Sequence, residues 1–172
     1  VIAALDRDVA RSIRTHEPMA LMMVDIDHFK NVNDRYGHPV GDKVLCSVVA
    51  VLRERVRSQD LVGRYGGEEF MVLLPDTTAR GGYLLAQQLC EAVQALRLEH
   101  EGQPIPVTVS IGVYGGRLQP GDHWDMLISA ADRALYEAKY RGRNRVEVVE
   151  ALRRPASLVT ANSGPETQPA LF

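Results

Sequence analysis

The chain has 172 residues, 45% of them hydrophobic and 24% charged, which is long and apolar enough for one folded domain with a buried core. Its formal net charge of −2 argues against a surface built to bind nucleic acid. Two cysteines, Cys46 and Cys90, lie within apolar helical patterns, which predicts buried thiols in a reducing, cytoplasmic compartment and no disulfide.

The first half of the chain alternates helical and strand patterns. Apolar residues spaced three to four apart predict a helix over residues 1–16, which Pro18 ends. The continuous apolar run 19–24 predicts a strand that is buried on both faces. A short helix is predicted over 28–35, and a long helix begins at Pro39 and extends to about Val56.

The second half begins with a predicted β-hairpin. Two apolar runs, 61–62 and 70–74, flank Gly66 and Gly67, and a glycine pair in this position predicts a tight turn with positive φ. The elements that follow are a helix from the cap residues 76–78 to about Leu96, a polar loop over 99–104, a strictly alternating and half-buried strand over 105–113, a helix over 124–140 that Gly142 ends, and a last strand over 145–149.

This order of elements predicts the fold class. Helices alternate with strands except at the one hairpin, which indicates an α+β domain with a mixed central sheet flanked by helices. The domain is predicted to span residues 1–150. Residues 151–172 are rich in Pro, Ser, Thr and Gln and poor in apolar residues, which predicts a disordered tail. The chain does not begin with Met, so we expect it to be a fragment of a longer protein.

Three carboxylates are candidates for a cation site. Glu68 and Glu69 follow the two glycines directly, although Glu is a poor strand residue. They are either solvated charges at a hairpin tip or ligands of Mg²⁺ beside bare backbone that a phosphate can approach. Asp25 follows six apolar residues and should be partly buried, so it needs a partner such as a metal ion. Asp25 and Glu68 can share one cation if the hairpin pairs beside the first strand, whereas Asp27 is expected to cap the next helix.

Other polar residues have two readings each. The backbone N–H groups of residues 29–31, which open a helix, can take a phosphate. Lys139 and Arg143 either compensate the dipole of the last helix or hold the phosphates of a nucleoside triphosphate. Asn33 and Asp42 are either turn and cap residues or hydrogen-bond partners of the guanine edge.

Taken together, these residues resemble the GGDEF family of diguanylate cyclases. The resemblance extends over residues 1–149, and Glu68 stands where many members carry Asp. The motifs, all in family order, are Asp-Ile-Asp-His-Phe-Lys-Asn-Val-Asn-Asp at 25–34, Gly-His at 37–38, Gly-Asp at 41–42, Arg-Tyr-Gly-Gly-Glu-Glu-Phe at 64–70, Ser-Ile-Gly-Val at 110–113, Ala-Asp at 131–132, Ala-Leu-Tyr at 134–136, Ala-Lys at 138–139 and Gly-Arg-Asn at 142–144.

The resemblance implies a sheet like the palm of nucleotidyl cyclases and the condensation of two GTP into cyclic di-GMP with release of pyrophosphate. It implies that Asp25, the Ile26 carbonyl and Glu68 hold Mg²⁺, with Mn²⁺ as an alternative, and that Glu69 is a catalytic carboxylate that assists them. The substrate-binding residues that it implies are Phe29, Lys30, Asn33, Asp42, Gly66, Gly67, Lys139 and Arg143. Because each domain binds one GTP, it also implies a catalytic homodimer. No nucleic-acid partner is expected, in line with the net charge.

A second site is implied just before the hairpin. Arg57 and Asp60 match the family's inhibitory Arg-x-x-Asp site, which implies binding of cyclic di-GMP and feedback inhibition. A further arginine often assists, and Arg80 and Arg53 are the candidates by position. The Leu-Thr-Gly-Leu-x-Asn-Arg segment that precedes the first helix in the family is absent. The chain is therefore expected to be truncated at its N-terminus, to lack an upstream regulatory domain and to have reduced activity by itself.

Two other functions fit the same motifs. A catalytically silent module could act as a receptor for cyclic di-GMP, although such a receptor has no need for an intact set of catalytic residues. A related nucleotide cyclase could differ in base or ring specificity. No apolar run is long enough to cross a bilayer and no signal peptide is present, so a cytoplasmic location is expected, with membrane attachment of a longer parent left open.

Overall fold

The computed structural model describes residues 1–151, so the predicted disordered tail lies, apart from Ala151, outside the described residues. The elements in chain order are α1 (Ile2–Thr15), β1 (Met19–Ile26), α2 (Phe29–Tyr36), α3 (His38–Arg55), β2 (Leu61–Arg64), β3 (Glu69–Pro75), α4 (Ala79–Gln94), β4 (Leu98–His100), β5 (Gln103–Ile105), β6 (Val109–Gly116), α5 (Trp124–Tyr140) and β7 (Val146–Glu150). Apart from the β4–β5 pair, this is the predicted order.

The main sheet has five strands in the order β2-β3-β1-β6-β7. The central strand β1 pairs antiparallel with β3 on one side and with β6 on the other, whereas β6 and β7 are parallel. The sheet is therefore mixed, as predicted. All eight residues of β1 are buried, in agreement with the continuous apolar run in the sequence.

Helices cover both faces of this sheet. Successive side chains of a strand point to opposite faces, so β1 contributes to two cores. Met22 and Val24 belong to a core cluster with α2, α3 and α4, and Met23 belongs to a second cluster with α1 and α5. The predicted α+β fold with a helix-flanked mixed sheet is confirmed.

The segment before β6 differs from the prediction. Residues 99–104, predicted as a loop, lie within the small antiparallel β4–β5 hairpin. The single alternating strand predicted over 105–113 was wrong, because β6 begins only at Val109 and is buried on both faces. In the sequence, apolar residues alternate with small or polar ones such as Gly112. Gly112 is small because it lies against α5, where an added Cβ would overlap the Ala131 carbonyl oxygen. Small residues on that face let the helix approach closely.

The hairpin between β2 and β3 is wider than predicted. Residues 65–68 connect the two strands, and neither Gly66 nor Gly67 has a positive φ, so the tight glycine turn was wrong. The backbone N–H groups of Tyr65 and Gly66 both donate to the Glu69 carbonyl, at 2.8 and 3.2 Å. A four-residue connection distributes the chain reversal, and left-handed glycines are not needed for it.

The two cysteines differ in their surroundings. Both thiols are free, and Cys90 is buried as predicted, but Cys46 is exposed, so its predicted burial was wrong. Cys46 lies on α3 between the buried Leu45 and the partly buried Ser47, on the side of the helix that turns away from the core. Among residues 1–151, no helix combines the length and hydrophobicity needed to span a membrane.

Candidate active site

The end of β1 and the start of β3 bring the predicted metal-binding carboxylates to one place. In the antiparallel register, Asp25 lies opposite Glu69, and the Ile26 N–H donates to the Glu68 carbonyl at 3.3 Å. The hairpin therefore pairs beside the first strand, which is the condition under which Asp25 and Glu68 can share one cation. Lys139 of α5 completes the group, since its Nζ lies 2.6 Å from Asp25 Oδ2.

Burial controls the electrostatics of this group. Asp25 is only 6% exposed, and burial raises its pKa above the ordinary value, with Lys139 acting in the opposite direction. The pKa of Glu69 is also raised, first by burial and then by the negative charges of Asp25 and Asp132. Several carboxylates thus share a poorly solvated region with one lysine, and a further cation would stabilise their charged forms.

The donor set fits a hard cation. Asp25, Glu68 and the Ile26 backbone carbonyl offer only oxygen atoms, which are the ligands that Mg²⁺ prefers. Within residues 1–151 no group of three or more His, Cys, Asp or Glu side chains is arranged to hold a metal ion. Two carboxylates and one carbonyl fill only part of an octahedral shell, and Mg²⁺ commonly completes its shell with water and substrate phosphates.

The start of α2 presents two free backbone donors. The N–H groups of Asn31 and Val32 both donate to the His28 carbonyl, at 2.9 and 3.3 Å. The N–H groups of Phe29 and Lys30 have no acceptor in the described part of the chain. Unpaired N–H groups at a helix N-terminus bind phosphate well, because the helix dipole also favours an anion there.

Asn33 and Asp42 lie where α2 packs on α3. Gly41, which precedes Asp42, is in such close contact with Asn33 that an added Cβ would overlap Asn33 Oδ1. Asn33 Oδ1 is buried and has no hydrogen-bond partner among the described residues. An unpaired buried polar atom costs about 1–3 kcal/mol, which is unusual unless a ligand or water satisfies the group. The contact between Asn33 and Gly41 thus brings Asn33 next to the residue that precedes Asp42.

Asp27 does not cap α2, contrary to prediction. His28 is the N-cap residue of α2, with a left-handed φ of 54° and no side-chain capping bond. The Asp27 carboxylate accepts hydrogen bonds from Thr108 Oγ1 at 2.7 Å, from Ser110 Oγ at 2.6 Å and from the Asn144 backbone N–H at 3.0 Å. The reversal at His28 turns the chain into α2 and leaves the Asp27 side chain beside β6.

Arg57 and Asp60 form a compact turn before β2. Asp60 Oδ1 and Oδ2 accept from Arg57 Nη2 at 3.0 Å and Nε at 3.2 Å, and Arg57 Nη2 also donates to the Pro75 carbonyl at 2.8 Å. Asp60 lines a cavity of about 590 Å³ between this turn and α1. The arginines that line this cavity are Arg7, Arg11 and Arg14. The candidates Arg53 and Arg80 line two other cavities.

Two features of these sites were missed in the sequence. Asp132, whose pKa burial raises, interacts electrostatically with Glu69 and Lys139. Its spacing of seven residues from Lys139 places both on one helix face, and this signal was present in the sequence. The arginines of α1 follow the spacing i, i+4, i+7, so the same argument could have identified a basic helix face.

Both the sequence and the fold are similar to those of known proteins. Residues 2–145 match the family model described as diguanylate cyclase, GGDEF domain. The chain is 41% identical over 144 residues to the diguanylate cyclase DgcP of Pseudomonas aeruginosa, an alignment that covers 84% of this chain and 21% of DgcP. It spans 35% and 29% of the lengths of two further relatives, so it corresponds to only part of such proteins.

The solved structures that are similar to this fold include one in complex with c-di-GMP and one described as active. The coiled coil and GGDEF domain of DgcB from Caulobacter crescentus, in complex with c-di-GMP, has a TM-score of 0.80 and 31% identity, covering 86% of this chain and 78% of the other. The active GGEEF domain of a diguanylate cyclase from Vibrio cholerae has a TM-score of 0.79 and 32% identity, covering 86% and 92%. The second structure has Glu at the third position of the motif, as this chain does.

Proposed function

Because this chain belongs to the GGDEF family of diguanylate cyclase domains, we propose that residues 1–150 form a catalytic domain that condenses two GTP into cyclic di-GMP. The observation that carries the proposal is the convergence of Asp25, Glu68 and Lys139 at the β1–β3 end, where the buried Asp25 pairs with Lys139 and the partly buried Glu68 adds negative charge. The active GGEEF domain from Vibrio cholerae supports a functional role for Glu at position 68.

In the proposed mechanism, each domain binds one GTP. Asn33 and Asp42 contact the guanine edge, and the unpaired N–H groups of Phe29 and Lys30 donate hydrogen bonds to phosphate oxygens. The cationic side chains of Lys139 and Arg143 bind the phosphates through charge-assisted hydrogen bonds. Gly66 and Gly67 leave the hairpin backbone accessible, and a Cβ at Gly67 would meet no atom within 4 Å, so the nucleotide has room there.

The chemistry is phosphoryl transfer at the α-phosphorus, and it occurs twice. The 3′-oxygen of one GTP forms a bond to the α-phosphorus of the other, the bond to the β-phosphate oxygen breaks, and pyrophosphate leaves. The 3′-hydroxyl proton must be lost, and we assign its acceptance to Glu68 or Glu69. Diguanylate cyclases of this family use a divalent metal ion, and we assign Mg²⁺ or Mn²⁺ to Asp25, Ile26 and Glu68, where it would stabilise the developing charge.

The stoichiometry requires two copies of the domain. Cyclic di-GMP contains two identical halves, and one domain offers one guanine-binding pair and one set of phosphate-binding groups. We therefore infer that two domains act face to face as a homodimer. Binding of the product at Arg57 and Asp60 is proposed as feedback inhibition, supported by the arginine-lined cavity beside that turn.

The experiment that tests this function is product analysis on the full-length protein. GTP and MgCl₂ should yield cyclic di-GMP and pyrophosphate, while ATP should yield no cyclic dinucleotide. Glu68→Ala should abolish turnover, and the exposed Glu99→Ala should not change it. Full activity in Glu68→Ala would disprove the metal-site assignment, and a cyclic product from ATP would indicate a cyclase of different specificity.

A receptor for cyclic di-GMP is the second candidate, and the arginine-lined cavity beside Asp60 is the observation that favours it. A receptor would bind cyclic di-GMP without forming it. Calorimetry with cyclic di-GMP, run beside the product assay, separates the two functions. Binding without turnover in the full-length protein would replace the enzyme by the receptor.

A further inference from the structure

The Asp27 carboxylate joins three parts of the chain. It is 8% exposed, and it accepts hydrogen bonds from two side chains of the β6 region, Thr108 and Ser110. Its third bond, at 3.0 Å, comes from the backbone N–H of Asn144, which lies in the connection between α5 and β7. The backbone N–H of Asp27 also donates to the Thr108 carbonyl at 2.9 Å, so the residue is fixed at the end of β1.

The connection that donates this third bond has an unusual backbone. Gly142, Arg143 and Asn144 have positive φ angles of 120°, 63° and 47° in succession. For a non-glycine residue this conformation costs on the order of 1 kcal/mol or more, and it persists only where surrounding contacts hold it. The Arg143 N–H donates to the Ala138 carbonyl at 2.9 Å, which ties the loop to α5.

The Asp27 bond holds this loop from the other side. The Arg143 side chain is exposed and has no hydrogen bond or ion pair within the described residues, so the backbone at Arg143 is what sets the point and direction from which the side chain starts. Asn144 follows it directly, and Asp27 anchors the Asn144 N–H to the strand that also carries Asp25. β1 and β6 are already joined by their backbone ladder, whereas the bond to Asn144 reaches the loop. The other end of the loop is held by the Ile111 N–H, which donates to the Arg145 carbonyl at 3.0 Å.

We propose that Asp27 is a positioning residue for Arg143: by anchoring the Asn144 N–H, it fixes the left-handed loop that directs the Arg143 guanidinium toward the substrate phosphates. This inference rests on the proposed function of Arg143 in GTP binding. It gives the second aspartate of the Asp25-Ile26-Asp27 segment a role different from the first. Asp25 acts on the metal, and Asp27 acts on the phosphate-binding loop of a distant helix end.

The reactivity of the Cys90 thiol offers a measure of loop position that does not depend on nucleotide binding. Its Sγ lies 3.4 Å from Asn144 Oδ1 and 3.5 Å from the Val109 carbonyl. Burial raises the pKa of this thiol to about 11. A loop that moves away from Cys90 would expose the thiol, so the rate of its alkylation measures loop position without any nucleotide.

The test is a double-mutant cycle on the full-length protein. Binding of the α,β-methylene analogue of GTP, which cannot release pyrophosphate, is measured by calorimetry with Mg²⁺ for wild type, Asp27→Ala, Arg143→Ala and the double variant. We expect each single variant to weaken binding about 10-fold or more, since a charge-assisted contact contributes about 1.5–3 kcal/mol. We expect the double variant to be no weaker than Arg143→Ala, because Asp27 acts through Arg143.

Matched variants separate positioning from general destabilisation. Ser110→Ala removes a bond to the same carboxylate but none to the loop, so binding and Cys90 alkylation should remain near wild type. Asp27→Asn keeps one oxygen for the Asn144 N–H and should largely restore binding, whereas Asp27→Ala should speed Cys90 alkylation. If Asp27→Ala does not fold, Asp27→Ser takes its place, since its hydroxyl is too short to reach the loop.

The outcomes are distinct. Additive losses in the cycle, or wild-type binding by Asp27→Ala or its replacement, would overturn the positioning role while leaving the function of Arg143 intact. Wild-type binding by Arg143→Ala would overturn both the phosphate-binding role of Arg143 and this inference. Equal effects of Ser110→Ala and Asp27→Ala would show that the carboxylate supports only the strand pairing.

Discussion

Lys139 Nζ donates to Asp25 Oδ2 at 2.6 Å, and the two residues are 114 positions apart in the chain. The cation that we assign to the phosphates and the carboxylate that we assign to the metal are therefore one ion pair in this structure. Lys139 partly offsets the effect of burial on the pKa of Asp25. A bound nucleotide and metal ion would give each partner a new counter-charge.

The first prediction concerns Lys139. Lys139→Met keeps the length of the side chain but removes its charge, so the KM for GTP should rise about 10- to 100-fold, the equivalent of one charge-assisted hydrogen bond. Arg133→Met is the matched control, because Arg133 is an exposed residue of the same helix. Steady-state kinetics on the full-length protein check this. An unchanged KM and kcat in Lys139→Met would exclude Lys139 from substrate binding.

The second prediction concerns Asn33 and Asp42, the proposed guanine-binding pair. A methyl group in Gly41→Ala would overlap Asn33 Oδ1 and displace the carboxamide, because the atom it meets belongs to a movable side chain. The KM for GTP should rise up to about 10-fold, the equivalent of one lost neutral hydrogen bond. In an Asn33→Ala background the same substitution should have little effect, since the overlapping atom is gone. Equal losses in both backgrounds would contradict the predicted contact.

The third prediction concerns the Arg57–Asp60 turn and the arginine-lined cavity beside it, which Arg11 and Asp60 line. Arg57→Ala and Arg11→Ala should each weaken cyclic di-GMP binding about 10-fold or more, because arginine contacts to phosphate are charge-assisted. The Arg53→Ala variant should bind cyclic di-GMP with wild-type affinity, since Arg53 lines a different cavity. Calorimetry measures the affinities, and thermal unfolding accompanies it because Arg57 also bonds to the Pro75 carbonyl. Unchanged affinity in Arg57→Ala would eliminate the product site.

The fourth prediction concerns the thiols. At pH 8 iodoacetamide should label one cysteine of the native protein, the exposed Cys46, and both cysteines in denaturant. The pKa of Cys90 is raised to about 11, chiefly by burial, so at pH 8 it remains the unreactive thiol. Its labelling should accelerate only as the pH approaches that value. Mass spectrometry identifies the modified residue, and rapid labelling of native Cys90 at pH 8 would be the contrary result.

Much of the fold could be predicted because its signals are local. The apolar run of β1 and the helical spacing of α5 each occupy one short segment, and burial then follows from hydrophobicity. The β4–β5 hairpin was missed because strands of three residues carry too little pattern to recognise. The turn at Gly66 was assigned the wrong geometry, because glycine permits several conformations and the sequence does not select one.

The candidate site likewise has features that the sequence predicts and features that it does not. The sequence by itself determined which chemistries were available: carboxylates after a buried strand, glycines at a hairpin, cations near a helix end and an Arg-x-x-Asp turn. Only the tertiary structure decided which of them meet. The Asp25–Lys139 ion pair and the Asp27–Asn144 hydrogen bond join residues 114 and 117 positions apart, and both depend on the placement of β1 between β3 and β6. Local patterns specify elements and their chemistry, but contacts between distant residues arise only when the packed sheet brings the ends of those elements together.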